Sequence, residues 1–300
     1  MKKGYFLVFL TAVISGFSIF INKFGVGFSN PYIFTWLKNL IAALLLSCLF
    51  LLLKDWKTLK KLKKKQWFLL ITIGLVGGSI PFLLFFKGLS LTTASRGAFL
   101  HKTMFLYIAF LAFIFLKERI NKNFLLAGLL LIIGNLLLLK PFPFSFNKGD
   151  LLIFLATLFW AVENIISKYA LRTISGRSVA WGRMFFGSLF IFLFLLQSNQ
   201  LSPLLNLDYH QIIWVIITSI FLLGYVTTWY CGLKDIPVSE AAIILTLASP
   251  ITTLLAFIQS GNITLTAIFA GFLIVSGVIL VLGFKKLLSL IKDIKEYVKP

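Results

Sequence analysis

Acidic side chains are scarce in this sequence: nine Asp and Glu stand against 29 Lys and Arg among 300 residues. Cysteine is scarcer still. Cys48 and Cys231 both fall inside apolar stretches and read as small packed residues, which excludes a disulfide framework or a cysteine-based metal site. The two histidines, His101 and His210, are too few and too far apart for a metal cluster, so no cofactor and no metal is expected. A Gly-x-x-x-x-Gly-Lys-Ser/Thr phosphate loop is missing, and no polar stretch could fold as a soluble nucleotide-binding domain, which excludes an ATP-driven pump. Charged residues make up 13% of the chain, where soluble globular chains carry about 25%.

What fills the chain instead is hydrocarbon, with a mean hydropathy of +0.98. Apolar stretches of about twenty residues, the length that crosses a bilayer core, recur from end to end. They fall roughly at 5–25, 31–53, 67–87, 91–116, 123–140, 149–171, 178–197, 211–231, 236–259 and 263–284. The first follows Met1-Lys2-Lys3 without a small-residue cleavage site and is expected to be retained.

The +20 net charge sits in alternate connections. Lys2 and Lys3 precede the first span. Lys54, Lys57, Lys60, Lys61, Lys63, Lys64 and Lys65 fill the second connection; Lys117, Arg119 and Lys122 the fourth; Arg172 and Arg177 the sixth; and Lys285, Lys286, Lys292, Lys295 and Lys299 the tail. The opposite set is poor in positive charge: Gly25 to Pro31, Ser198 to His210 and Gln259 to Thr264 have none, and Lys140 and Lys148 around the sixth span are the weak exception. Positive charge marks cytoplasmic loops, so both termini are expected in the cytoplasm, which requires an even number of spans. The basic loop at 54–65 carries Trp56 and is followed by Trp67, an arrangement suited to interfacial anchoring or to anionic lipid headgroups. With no base-reading module, nucleic acid is not an expected partner.

The sequence also repeats itself. Phe9-Leu10 and Lys23 recur 145 residues on as Phe154-Leu155 and Lys168, and Trp36-Leu37-Lys38 recurs as Trp181-Gly182-Arg183. Gly88-Leu89 and Ala98 match Gly232-Leu233 and Ala242 at an offset of 144, and Gly134 matches Gly277 at 143. The repeat therefore holds five spans. Five is odd, so the second copy starts from the opposite side. The expected fold is all-α integral membrane: ten transmembrane helices as two inverted five-helix repeats, 1–142 and 143–300, both termini cytoplasmic. Inverted halves that exchange conformations expose one midplane site alternately to each side, the architecture of secondary transporters.

Two stretches carry a family resemblance. Residues 88–98 lead through the fourth span to Phe115-Leu116-Lys117-Glu118-Arg119-Ile120. A small-residue opening closed by a Lys-Glu-Arg turn resembles the EamA-type pattern of the drug/metabolite transporter superfamily. Gly232-Leu233, Ser239-Glu240-Ala241-Ala242 and Leu247-Ala248-Ser249-Pro250 resemble the matching helix of the second half. The chain departs from the pattern at Ser260-Gly261-Asn262, where the family has a Gly-Glu turn, and at His101-Lys102. The resemblance implies a cavity lined by helices 1, 3, 4, 6, 8 and 9, with 5 and 10 peripheral. It also implies outward transport of an amino acid or similar metabolite across the cell's inner (plasma) membrane.

Polar groups inside spans are expensive and mark candidate pathways. Thr11, Ser15, Ser18 and Asn22 share one face of the first span, and Trp160, Glu163 and Ser167 fall on the matching face of the sixth. Glu163 is the only acid expected deep in a span, open to carrying a coupling proton, binding a substrate amine, or pairing with a base such as Lys168. Asn164 lies beside it. His101 and Lys102 sit inside the fourth span, and Lys38 and Arg183 either snorkel to the interface or meet substrate. Thr218, Leu222, Tyr225 and Trp229 share a face of the eighth span, where Tyr225 and Trp229 with Trp160 offer an aromatic box. Glu240 suits a helix N-terminus, and Pro250 a kink.

These residues fit a secondary transporter of a zwitterion, with Glu163 for its ammonium and Lys102 for its carboxylate. They also fit an exchanger of anionic metabolites such as sugar phosphates, because intramembrane bases outnumber the acid. A passive channel or scramblase is the minor alternative, and an enzyme is not expected. The partners this implies are a small-molecule substrate, membrane lipid, and protons or a counter-substrate, for a monomer or homodimer.

Overall fold

The computed structural model describes residues 2–25, 30–92, 94–139, 146–262 and 264–283. Helices begin where a side chain can serve the unpaired N–H groups of a first turn. Asn30 accepts from Tyr32 N at 2.9 Å ahead of Pro31, and Asn121 from Phe124 N at 2.9 Å. Asn147 with Asp150, and Asp208 with Gln211, form reciprocal capping boxes.

Between these caps run α1 (Lys2–Gly25), α2 (Pro31–Leu52), α3 (Lys64–Gly78 and Ile80–Leu89), α4 (Ala94–Lys102, Met104–Leu111 and the π-turn Ala112–Leu116) and α5 (Lys122–Leu137). The second set is α6 (Lys148–Ala170), α7 (Gly176–Gln197), α8 (Tyr209–Leu233), α9 (Val238–Leu245 and Ala248–Ser260) and α10 (Leu265–Leu282). Nine of these are long and apolar enough to cross a membrane, and α5 is a shorter apolar helix of 16 residues. No strand occurs among the described residues. The observed ends lie within about three residues of those expected, because caps and turns, rather than hydropathy, decide the last turn. Thr93, Lys140 and the Lys-rich tail (Lys285, Lys286, Lys292, Lys295, Lys299) lie outside the described residues.

Three helices are broken. In α3 the break is at Ser79, just ahead of Pro81. In α4 it is at Thr103, whose hydroxyl donates to Leu100 O at 2.6 Å. In α9 it is at Thr246–Leu247, where the Thr246 hydroxyl donates to Ile243 O at 2.6 Å. Thr103 and Thr246 are 143 residues apart. Both close a short turn through the same i−3 bond, a device that competes with the helical ladder. The expected kink at Pro250 thus appears upstream of the proline, with Ser249 N bonded to Thr246 O at 3.0 Å.

The packing repeats as the sequence does. α1 packs on α8 and α6 on α3; α1 on α9 and α6 on α4; α2 on α8 and α7 on α3. α2 meets α7, α4 meets α9, and α5 meets α10. Exchanging each helix with the one five later leaves this pairing unchanged, as a two-fold axis between two five-helix units requires. Large apolar side chains such as Phe110, Phe113, Leu125 and Phe272 stay exposed on the outside, which suits a surface solvated by lipid tails.

Candidate functional site

The centre of the molecule is made by the break in α3. Proline has no N–H, so Pro81 leaves the carbonyl four residues back, that of Gly77, without its helical donor. Trp160 Nε1 of α6 donates to that carbonyl at 3.0 Å and Arg183 Nη2 of α7 at 3.1 Å. The neighbouring Gly78 carbonyl accepts from Asn39 Nδ2 of α2 at 2.9 Å. Gly77 and Gly78 allow this approach: a Cβ on Gly77 would overlap Glu163 Cγ, and one on Gly78 the Arg183 carbonyl.

Glu163 is fully buried beside Gly77. Its Oε1 accepts from Tyr230 OH at 2.7 Å and from the Ser167 hydroxyl, while Oε2 has no hydrogen-bond partner. Arg183 Nη1 donates to the same Tyr230 oxygen at 3.0 Å. The phenol thus joins acid and base, and Arg183 also lies over the rings of Phe82 and Tyr230. Low dielectric strengthens such a network and makes each broken link costly.

Toward one end of the bundle a vestibule of about 440 Å³ opens between α1, α4, α5, α9 and α10. Lys102, Asn135, Ser249, Thr252 and Thr253 supply its polar wall; Ile19, Phe20 and Phe99 part of its apolar one. Lys102 is the one charged side chain lining it among the described residues. The same lysine, beside the α4 break, lines a small cleft with Thr246 at the α9 break. Broken helices that face a cavity are where transporters present free backbone and charge to a ligand.

The other end, where the basic connections lie, is closed around the α8–α9 turn. Glu118, in the turn after α4, accepts from Val238 N at 2.8 Å, Ser239 N at 3.1 Å and Ser239 Oγ at 2.5 Å. Lys168 Nζ donates to Leu233 O and Ile236 O at 2.7 Å, and Tyr5 OH to Glu240 at 2.5 Å. At the vestibule end, Asp150 pairs with Arg96 and accepts from Thr92. The residues two-fold related to Glu118 are Gly261 and Asn262, which bring no carboxylate.

The expected candidates thus divide. Trp160, Glu163, Asn164 and Trp229 come together at the centre, Asn164 Oδ1 accepting from Trp229 Nε1 at 3.0 Å. Tyr225 stacks on Trp229 at 6.3 Å, and the His101 ring lies 5.0 Å from that of Trp160. Thr11 bonds Thr228 of α8 at 2.8 Å, Ser15 is buried, and Ser18 accepts from Asn22. Glu163 does not pair with Lys168, and only Lys102 of the two proposed zwitterion partners lines the vestibule. Lys38 and Arg183 stay inside the bundle, 4% and 6% exposed. Sequence reasoning missed Tyr230, Gly77 and Ser249. Tyr230 was hidden among many aromatics; the signal for Gly77 was its place four residues before Pro81.

Helices that repeat in fives, three of them broken, around a vestibule with one lysine define a multi-pass membrane transporter. The EamA-like transporter family model matches residues 2–140 and again 147–283, so the chain belongs to that family. It is 26% identical over 290 residues to the uncharacterized transporter YyaM of Bacillus subtilis (strain 168), covering 90% of this chain and 92% of that one. It is likewise 26% identical over 240 residues to the uncharacterized transporter YetK of the same organism, covering 77% and 71%. A solved structure described only as the crystal structure of a protein shares the fold, with a TM-score of 0.74 at 19% identity, covering 92% of this chain and 96% of that one.

Proposed function

We propose that this chain is a secondary transporter that works by alternating access and exports a small carboxylate-bearing metabolite, an amino acid or related zwitterion first, across the cytoplasmic membrane. The observation that carries the reading is Lys102, buried to 7% exposure yet lining the vestibule at the break of α4. A cation held there without an acidic partner among the lining residues supports recognition of an anionic group. The ten-span inverted arrangement, with units 1–142 and 143–300 and both termini cytoplasmic, makes the vestibule the outward-open face and the Glu118 end the closed cytoplasmic one. Export follows from the family resemblance. Protons or a counter-substrate drive it, and Glu163 is the coupling candidate.

Exchange of anionic metabolites such as sugar phosphates is the second reading, supported by a vestibule lined, among the described residues, by a base and no acid. Counterflow in proteoliposomes with labelled amino acids and sugar phosphates decides between them. Saturable amino-acid counterflow that falls at least about tenfold in Lys102→Gln, and less in Lys102→Arg, is the expected result. Sugar-phosphate exchange without amino-acid flux would install the second reading. Flux without saturation would indicate a channel. Accumulation driven by a proton gradient in wild type but not in Glu163→Gln would make Glu163 the coupling group.

A further inference from the structure

Lys38 and Arg183 are 145 residues apart, and their surroundings follow the repeat. Ser18 stands where the second half has Glu163 and Asn22 where it has Ser167; Phe86, at the offset of 144 that relates Gly88 to Gly232, stands where it has Tyr230. In the second half the cation is tied through a phenol to a carboxylate. The first half keeps the cation and has neither the acid nor the phenol.

Lys38 is nevertheless 4% exposed. Its Nζ reaches Asn22 Oδ1 at 3.4 Å and lies over the rings of Phe86 at 4.9 Å, Phe34 at 5.6 Å and Phe82 at 6.0 Å. None of these groups is charged. Ring faces and one amide oxygen offset only part of what an ammonium loses when it leaves water. Arg183 lies over the same Phe82 ring at 5.7 Å, so two repeat-related cations share one ring, and among the described residues only Arg183 has a carboxylate in its network. On α1, Ile19 and Phe20 line the vestibule, so the wall of the cavity comes within two residues of Asn22, the partner of Lys38.

We infer that Lys38 is an anion-binding subsite of the transport pathway, where the carboxylate of the transported metabolite takes the position that Glu163 supplies beside Arg183. This rests on the transport reading above and deepens it: Lys102 meets the anion in the vestibule, and Lys38 receives it further in. The ligand class is a carboxylate on a small metabolite, held by one ammonium, the Asn22 amide and a floor of phenyl rings.

Asn22→Asp tests it, because the exchange is isosteric and puts a carboxylate where the amide oxygen already meets Nζ. In detergent without substrate, Asn22→Asp is expected to melt about 2–4 °C higher than wild type. Sodium acetate in place of chloride, the bare carboxylate probe, raises the melting temperature of wild type and not of Asn22→Asp. Amino-acid counterflow falls at least about tenfold in both Asn22→Asp and Lys38→Met, and Lys38→Arg retains most of it.

An unchanged or lower melting temperature for Asn22→Asp, or counterflow close to that of wild type, overturns the assignment. So does a shift with inorganic phosphate but none with acetate. Should Lys38→Met fail to fold, Asn22→Asp decides alone. If wild type carries no amino acid at all, the transport reading fails by itself, while the melting experiments still report whether Lys38 binds a carboxylate.

Discussion

Tyr230 holds the two charges of the central network in one bonded chain without letting them touch. Replacing it with phenylalanine keeps the ring over which Arg183 lies but removes the only oxygen that bridges Arg183 Nη1 and Glu163 Oε1. Arg183 then keeps only the Gly77 carbonyl and Glu163 only the Ser167 hydroxyl, and a buried donor or acceptor left unsatisfied costs about 1–3 kcal/mol. Tyr230→Phe is therefore expected to unfold at lower temperature than wild type, measured by thermal unfolding in detergent. Equal melting temperatures would mean that water or a neighbour replaces the hydroxyl without loss. Glu163→Ala should cost more, about 3–5 kcal/mol, since it removes one charge from a buried pair. None of this pairing is visible in the order of residues: Glu163 and Tyr230 are 67 positions apart.

At the scale of the helix, the break of α3 and the contact of α3 with α6 and α7 come from three residues in a row, Gly77, Gly78 and Ser79, with Pro81 beyond. A methyl group at Gly77 would meet the Glu163 side chain, whereas one at Gly128 comes only within 3.7 Å of the Phe105 ring. Gly77→Ala is expected to destabilise by about 1–3 kcal/mol, the usual cost of overpacking, and Gly128→Ala to be tolerated. Comparable melting temperatures for the two variants would count against the close approach. Glu118 belongs to this scale too, because it joins the α4–α5 turn to the first turn of α9. Glu118→Gln keeps the shape and loses the charge, and it should loosen the closed end. A cysteine at Ser239 should then react faster with a small maleimide in inside-out vesicles than the same cysteine beside an intact Glu118. The halves differ here: Gly261 and Asn262 offer no carboxylate, and the vestibule lies at their end.

For the whole molecule, the orientation of the spans can be read in cells. Five spans per repeat and basic connections on alternate ends require that residues 198–208 face outward and residues 54–65 inward. In a chain lacking Cys48 and Cys231, a cysteine at Leu205, which is 88% exposed, should be labelled by an impermeant maleimide in intact cells. A cysteine at Lys61 should be labelled only after permeabilisation. The reverse pattern would invert the orientation, and labelling of both sites would break the count of five spans between them.

The ten apolar stretches, their alternating charge and the five-span repeat are legible in the sequence because each is a local or strictly periodic signal. Hydrocarbon thickness sets the first, the insertion rule the second and a fixed offset the third. Lys38, Lys102, Glu163 and Arg183 also stand out in the sequence, as charges where charge is expensive. Their roles do not, because a role depends on what the bundle brings to each. Folding gives Arg183 a phenol and, through it, a carboxylate; it leaves Lys38 among phenyl rings and turns Lys102 into the vestibule. The turns at Thr103 and Thr246 were equally hidden, since a threonine breaks a helix only where its hydroxyl and the packing around it favour the turn. The sequence alone determined that this chain crosses the membrane in repeated units. Only the tertiary structure decided which cation is joined to a carboxylate and which is held among uncharged groups, because desolvation and pairing are properties of neighbours in space.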